Sequence, residues 1–322
     1  MTGRSTISSS IESYLALKRA LGRKFINEGY VFAALDEFLS KAGAADLTAD
    51  SFGAWCVSMA HLSPTTRRCR MRVVRNLCLY RRRTVSDCFV PDADTFPAPC
   101  PPRRPYVFTH AEIAKLLEMV NALKPHTNCP LRAQSYRLAV VLLYTAGLRR
   151  GELCRLVLGD YDPQDHTLQI RSSKFHKSRI VALSSDASVE MEAFLRLRRL
   201  LSDHPEDPLL VRRWRGALHA RSGGSLGQVL HGLFGKAGIT TAAGSPPRVH
   251  DIRHTHAVHA LLRWYEAGED VQAKLPSLAA SMGHVSIVST AYYLSFIEPL
   301  AHAASERFAR HCAAILRPEV GP

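Results

Sequence analysis

The sequence predicts a mainly α-helical protein with a small antiparallel β-sheet. Three observations carry that expectation. Apolar residues recur at helical spacing through most of the 322 residues. One short alternating patch, Thr167-Leu-Gln-Ile170 and Ile180-Val-Ala-Leu183 around a polar Ser172–Lys177, reads as a hairpin. A proline cluster divides the chain once: Pro91, Pro97, Pro99, Pro101, Pro102 and Pro105 fall within 15 residues. Proline fixes φ and lacks an N–H donor, so that stretch reads as an extended, semi-rigid linker that cannot be helix. The expected organisation is a helical domain at 1–92, a linker at 93–106 and a larger domain at 107–322.

In the first domain, Ile11, Tyr14, Leu15, Leu21 and Phe25 share one helical spacing. Tyr30–Leu39 and Phe52–Met59 predict two more helices. Ser63-Pro64 starts a fourth, with Ser as N-cap and Pro at the first helical position. This helix carries Arg67, Arg68, Arg70, Arg72, Arg75, Arg81, Arg82 and Arg83 beside a narrow stripe of Val74, Leu77 and Cys78, and no Glu. A solvated surface helix usually mixes both signs, so the pattern favours a face turned to phosphate. Arg67, Arg68, Arg72 and Arg75 are the candidate DNA contacts.

In the second domain, Thr109 and Glu112 make a capping box ahead of Ile113, Leu116 and Leu117. Helices are expected at about 132–144, ending at Gly147, and at about 150–156, 187–201, 226–237, 249–265, 273–282, 287–294 and 300–316. The last has a stripe of Leu300, Ala304, Phe308, Cys312 and Ile315, which suits packing on its own domain or on a neighbour.

Composition narrows the function. The apolar fraction of 46% is that of a globular chain. No 18-residue apolar run predicts a membrane span, and the polar start does not read as a signal peptide. The expected compartment is the cytoplasm. The net charge of +14 concentrates polyanions and points to nucleic acid, although a solvated positive face would look the same. The eight cysteines include no C-x-x-C pair, which argues against a zinc knuckle or a redox dithiol. Cys56, Cys78 and Cys154 lie among apolar neighbours and read as core residues.

Several polar groups have no evident structural use. Arg149, just after Gly147 at a helix start, offers a bidentate donor fork to an anion, or pairs with Glu152. His250 and Arg253 are three apart, on one helical face. His250, His254, His256 and His259 suggest metal at first sight, but no Cys or Glu sits at matching spacing. His254 and His259 read as packed or hydrogen-bonded helix residues. His284 and the pair Tyr292-Tyr293 mean little alone, since a buried Tyr with a satisfied hydroxyl is common.

The constellation is more specific than its parts. Gly147-Leu-Arg149 with Glu152-Leu153, Lys174 in the hairpin, His250-x-x-Arg253-His254, Met282-Gly-His284 and Tyr293, nine positions after His284, resemble the tyrosine recombinase (phage integrase) family. The resemblance spans about 107–316, and the helical first domain fits the family's core-binding domain. Ala291-Tyr-Tyr-Leu-Ser-Phe296 resembles transposon-borne members. Met282 stands where Leu is common, a volume-conserving change. Lys177 is a second hairpin lysine; the family's Lys-x-x-Lys-x-Arg order assigns catalysis to Lys174 and backbone phosphate to Lys177.

The resemblance implies roles. Arg149 and Arg253 clamp the scissile phosphate, and His250 and His284 assist by hydrogen bonding, with proton transfer open to His250. Lys174 protonates the leaving 5′ oxygen. Tyr293 attacks phosphorus to give a 3′-phosphotyrosine. One phosphoester replaces another, so neither cofactor, metal nor ATP is expected. The implied partner is double-stranded DNA, bound by a homo-tetramer on two sites, with or without a partner recombinase, in a bacterial cytoplasm. Two other outcomes remain at this level: a type IB topoisomerase-like nicking and resealing enzyme, or a non-catalytic DNA-binding accessory protein.

Overall fold

The computed structural model describes residues 6–101, 103–171, 178–284, 286, 288–291 and 293. They fall into two compact units divided between Arg103 and Arg104.

The first unit has four helices: α1 (Thr6–Ala20), α2 (Ile26–Lys41), α3 (Ala49–Ser58) and α4 (Pro64–Arg81). Ile7, Tyr14, Phe32, Leu35, Leu39, Trp55, Val74, Leu77 and Cys78 form its core. The expected continuation of the first helix through Leu21 and Phe25 does not occur. Gly22 adopts φ 74° and ends it, leaving Leu21 64% exposed. Phe25 takes a left-handed conformation before α2, yet its ring still meets Tyr14, with centroids 5.9 Å apart.

Helix α4 starts as Ser63-Pro64 predicts, with the Ser63 side chain accepting from the Thr66 N–H. Its arginines differ from the expected uniform phosphate face. Arg68 donates to the Phe96 and Pro97 carbonyls at 3.3 and 3.2 Å, and Arg75 to the Pro91 carbonyl at 3.0 Å. Arg81 is buried and pairs with Asp46 at 2.8 Å. Arg72 is exposed and Arg67 half-buried. The segment they hold also differs from a plain linker. Asp92 caps a single 3₁₀ turn at Ala93–Thr95, and Phe96 is buried in the first unit's core beside Phe52. The turn forms because Pro91 and Pro97 flank it without entering it, so its donors survive.

The second unit opens with α5 (His110–Asn121), capped reciprocally by Thr109 and Glu112 as expected. Helix α6 (Arg132–Thr145) is buried nearly all round, with Leu138, Ala139, Val140, Leu142 and Leu143 inside, and packs against α5, the later α8 (Ser185–Arg198) and α10 (Val249–Glu266). A helix apolar on most of its surface belongs at the centre of a domain. Between α6 and α8 come α7 (Arg150–Leu153) and an antiparallel sheet, β1 (Tyr161–Asp162), β2 (Thr167–Ile170) and β3 (Arg179–Ala182), in that order. Thr167 pairs with Ala182 and Ile170 with Arg179. The hairpin tip with Lys174, His176 and Lys177 lies outside the described residues.

A second hairpin, β4 (Val211–Trp214) and β5 (Ala217–Ala220), has no counterpart in the sequence reading. Only Val211 is buried in it, so hydrophobic alternation is missing; Arg215 at φ 49° and Gly216 at φ 80° make its turn. Helix α9 (Gly223–Lys236) and α10 follow, then α11 (Val271–Met282) and α12 (Val288–Ala291). The expected helix at 300–316 and Tyr292 lie outside the described residues.

Candidate active site

The site is organised around the C-terminal end of α11. The last carbonyls of any helix lack intrahelical partners. Here Gly283, at φ 67°, turns the chain out of the helix, and three arginines from distant segments cover the carbonyls left behind. Arg179, opening β3, donates Nε to Ser281 O at 2.7 Å. Arg253, in the first turns of α10, donates Nη2 to Met282 O at 2.6 Å. Arg149, the residue before α7, donates Nη2 to Gly283 O at 2.6 Å. Arg253 also donates Nη1 to the carbonyl of Gly147, tying α10 to the turn that carries Arg149.

Glu152 holds two of the three cations. It is 2% exposed and accepts from Arg149 Nη1 at 2.7 Å and from the Arg149 N–H at 2.9 Å. Arg179 adds a bidentate pair at 3.0 and 2.9 Å. Burial alone would raise the carboxyl's pKa, but the donors of Arg179 and Arg149 outweigh it and hold it at about 2. Arg253 is 1% exposed. Burial, then the neighbouring Arg149, lowers its pKa to about 10, so it stays charged at neutral pH. Three guanidiniums around one carboxylate leave a net positive site, which suits a phosphate.

Two glycines make the approach possible. A Cβ on Gly283 would lie 2.8 Å from Arg179 Nη1 and 3.3 Å from Arg149 Nη1. A Cβ on Gly147, at φ 58°, would come within 2.5 Å of the His256 ring. That ring donates Nδ1 to Tyr144 O at 2.9 Å, so the neutral imidazole carries its proton there.

The histidines and Tyr293 lie on the adjoining side. Tyr293 is 3% exposed, in a cluster with Ala257, Leu261, Leu278 and Met282 from α10 and α11. The His284 ring stacks on it, centroids 6.2 Å apart and 24° between planes, while His284 Nδ1 lies 2.8 Å from Thr290 Oγ1. Its hydroxyl lies 2.9 Å from His254 Nδ1. The His250 ring meets His254 edge to face at 4.6 Å. Desolvation first, then the neighbouring His250 for His254 and Arg253 for His284, lowers both to about 4, so both are neutral at pH 7. His250 is pushed the same way by lost hydration on its packed face and by Arg253 and Arg248, with Asp251 opposing; its outer edge is exposed, and that tempers the first effect.

The structure therefore brings Arg253 and Arg149 onto the consecutive carbonyls of Met282 and Gly283, directly before His284; Tyr293 meets His284 and His254 through ring contacts, and His250 meets His254. Lys174 and Lys177 lie outside the described residues. Arg67, Arg68, Arg72 and Arg75 belong to the first unit. Sequence reasoning gave Arg179 no role, although it is the arginine of the Lys-x-x-Lys-x-Arg order. It paired Arg149 with Glu152, as observed, but missed that Glu152 also binds Arg179. His254 is hydrogen-bonded, as read, but its partner was not foreseen. Among the described residues, no three His, Cys, Asp or Glu side chains gather as a metal site, and no helix is long and apolar enough to cross a membrane.

The sequence profile of the Phage integrase family matches residues 106–296. A protein of Sinorhizobium fredii assigned as an integrase/recombinase, y4rB, is 29% identical over 309 residues, covering 95% of this chain and 98% of its own. Tyrosine recombinase XerA of Thermococcus kodakarensis is 30% identical over 203 residues, 63% of this chain and 62% of the relative. Among solved structures, the Tn1549 transposon integrase in complex with transposon right end DNA superimposes with a TM-score of 0.63 at 18% identity, covering 93% of this chain and 99% of that one. At that identity the likeness establishes a shared fold.

Proposed function

The chain belongs to the phage integrase family, the tyrosine-type site-specific DNA recombinases, and from that premise we propose that it cuts and rejoins duplex DNA through a 3′-phosphotyrosine on Tyr293. The observation that carries this reading is the convergence of Arg149, Arg253 and His284 on the end of α11, with the Tyr293 ring stacked against His284. Arg149 and Arg253 are positioned in advance by protein carbonyls and Glu152, so little reorganisation is needed as charge builds on the phosphate. Their cations neutralise the non-bridging oxygens without a metal, and His284 and His250 add hydrogen bonds. Lys174 acts as the general acid and gives a proton to the departing 5′ oxygen. Rejoining reverses each step, so no ATP enters.

Arg72, exposed on α4, and Lys177 bind backbone phosphates, with residues 1–92 as the core-binding domain and 93–106 as its connection to the catalytic domain. The working assembly is a homo-tetramer on two DNA sites, with the 300–316 segment exchanged between protomers, and the protein acts while associated with DNA in the cytoplasm.

The experiment traps the intermediate. On a DNA substrate nicked beside the scissile phosphate, the short 5′ fragment diffuses away and the adduct accumulates. The wild-type chain forms an adduct that peptide mapping places on Tyr293. Tyr293→Phe binds DNA and forms none, while Tyr292→Phe still forms it. An adduct on Tyr292, or an active Tyr293→Phe protein, overturns the reading.

A further inference from the structure

We propose that His254 is a catalytic residue: its Nδ1 takes the proton of the Tyr293 hydroxyl as that oxygen attacks phosphorus. The inference rests on Tyr293 being the nucleophile and goes beyond it by assigning the proton. The sequence pattern offered His250 for proton transfer. The geometry points one helical turn further on, to the ring whose Nδ1 lies 2.9 Å from the Tyr293 oxygen. A candidate base must first be within hydrogen-bond reach of the proton it removes, and His254 meets that condition.

The surroundings suit the transfer. Burial keeps the resting imidazole neutral, so one ring nitrogen is free to accept; the transfer uses the tautomer with the ring proton on Nε2 and Nδ1 as the acceptor. Asp251, on the same helix and 3% exposed, favours the imidazolium once it forms, and Arg253 lies within electrostatic reach of Tyr293 to favour the phenolate. His250, Arg248 and Arg253 act against a charged His254, so the proton is held only during the step. Among the described residues, the His284 ring also faces Tyr293. The step balances. The Tyr293 O–H bond breaks and an N–H bond forms on His254; the freed oxygen pair bonds phosphorus as the bond from phosphorus to the 5′ oxygen breaks, and that oxygen takes its proton from the general acid. Between the two steps His254 releases its proton to solvent; on rejoining, the 5′ hydroxyl gives a proton to the now-basic lysine and Tyr293 takes one from solvent by way of His254.

The test measures single-turnover adduct formation by the full chain on a substrate whose leaving atom is a 5′-bridging sulfur, which departs without a proton. His254→Ala slows the step at least about a hundredfold, within the range of general base catalysis, with DNA affinity unchanged. Added imidazole restores the rate in proportion to its free base, which a purely structural role would not produce. His254→Asn keeps a hydrogen-bonding atom near the place of Nδ1 but no base. Its rate stays low and climbs about tenfold per pH unit, while the wild-type rate is flat near neutrality. If His254→Ala disturbs folding, as circular dichroism would reveal, the His254→Asn profile decides. A wild-type rate and pH profile in either variant, with the adduct on Tyr293, overturns the role of His254 alone. A wild-type adduct that maps elsewhere overturns the nucleophile and this inference together.

Discussion

Helix α4 of the first unit and the end of α11 in the second both use arginine on backbone carbonyls, to different ends. On α4, Arg68 reaches two neighbouring carbonyls and Arg75 one, from half-exposed positions, and they hold the 91–97 segment to the helix. At α11, Arg149, Arg179 and Arg253 converge from three segments on consecutive carbonyls, and Glu152 locks two of them together. The first arrangement is a staple that water competes with. The second is a preorganised cluster in which each cation's place depends on the others. What distinguishes them is burial plus a shared anion, since solvent screens an exposed contact and leaves a buried network strong.

Removal of Arg179 is expected to have the largest effect on the α11 cluster. Arg179→Ala leaves Ser281 O uncovered and Glu152 held by Arg149 alone. Displacing a positioned group by about 1 Å costs on the order of 10²-fold in rate, so adduct formation should fall by that order while DNA affinity holds. An unchanged rate would show that Arg149 needs no such support.

Glu152 sharpens the contrast through pH. Its folded pKa of about 2 lies below the ordinary glutamate value, so its contribution is fully present above roughly pH 4.3 and is lost as pH falls toward 2. A shift of that size corresponds to on the order of 3 kcal/mol of stability near neutrality. Glu152→Gln should lower the urea midpoint at pH 7 and flatten the fall in stability between about pH 4 and pH 2. A variant with the wild-type acid profile would remove Glu152 from the account.

The smallest effects separate the arginines of α4. Arg72→Ala, at an exposed position, should flatten the salt dependence of DNA binding by roughly 0.9 without touching stability. Arg68→Ala should leave that slope in place and cost roughly 0.5–1.5 kcal/mol of folding stability through its lost carbonyl bonds. Salt titrations and thermal melts read both, and the reverse pattern would exchange staple and DNA contact.

Local chemistry made much of the fold legible. Ser63-Pro64 and the Thr109–Glu112 box mark helix starts because a cap needs only residues three apart. Gly147 and Gly283 mark turns because a positive φ is easy only without a Cβ. Periodicity failed where burial is thin: β4–β5 buries one residue, and Leu21 and Phe25 keep helical spacing across a break.

By itself, then, the sequence determined the helices, the main hairpin and the chemical types in the family pattern, since all of these are written in short spacings along one chain. Only the tertiary structure decided which guanidinium meets which carbonyl, that Glu152 serves two arginines, and that His254 meets Tyr293. Arg149 and Glu152 apart, those partners lie between 27 and 134 residues from one another, and no local period encodes a contact made when α10, β3 and the end of α11 pack. Packing sets their distances, because a buried cation must find acceptors wherever the fold brings them.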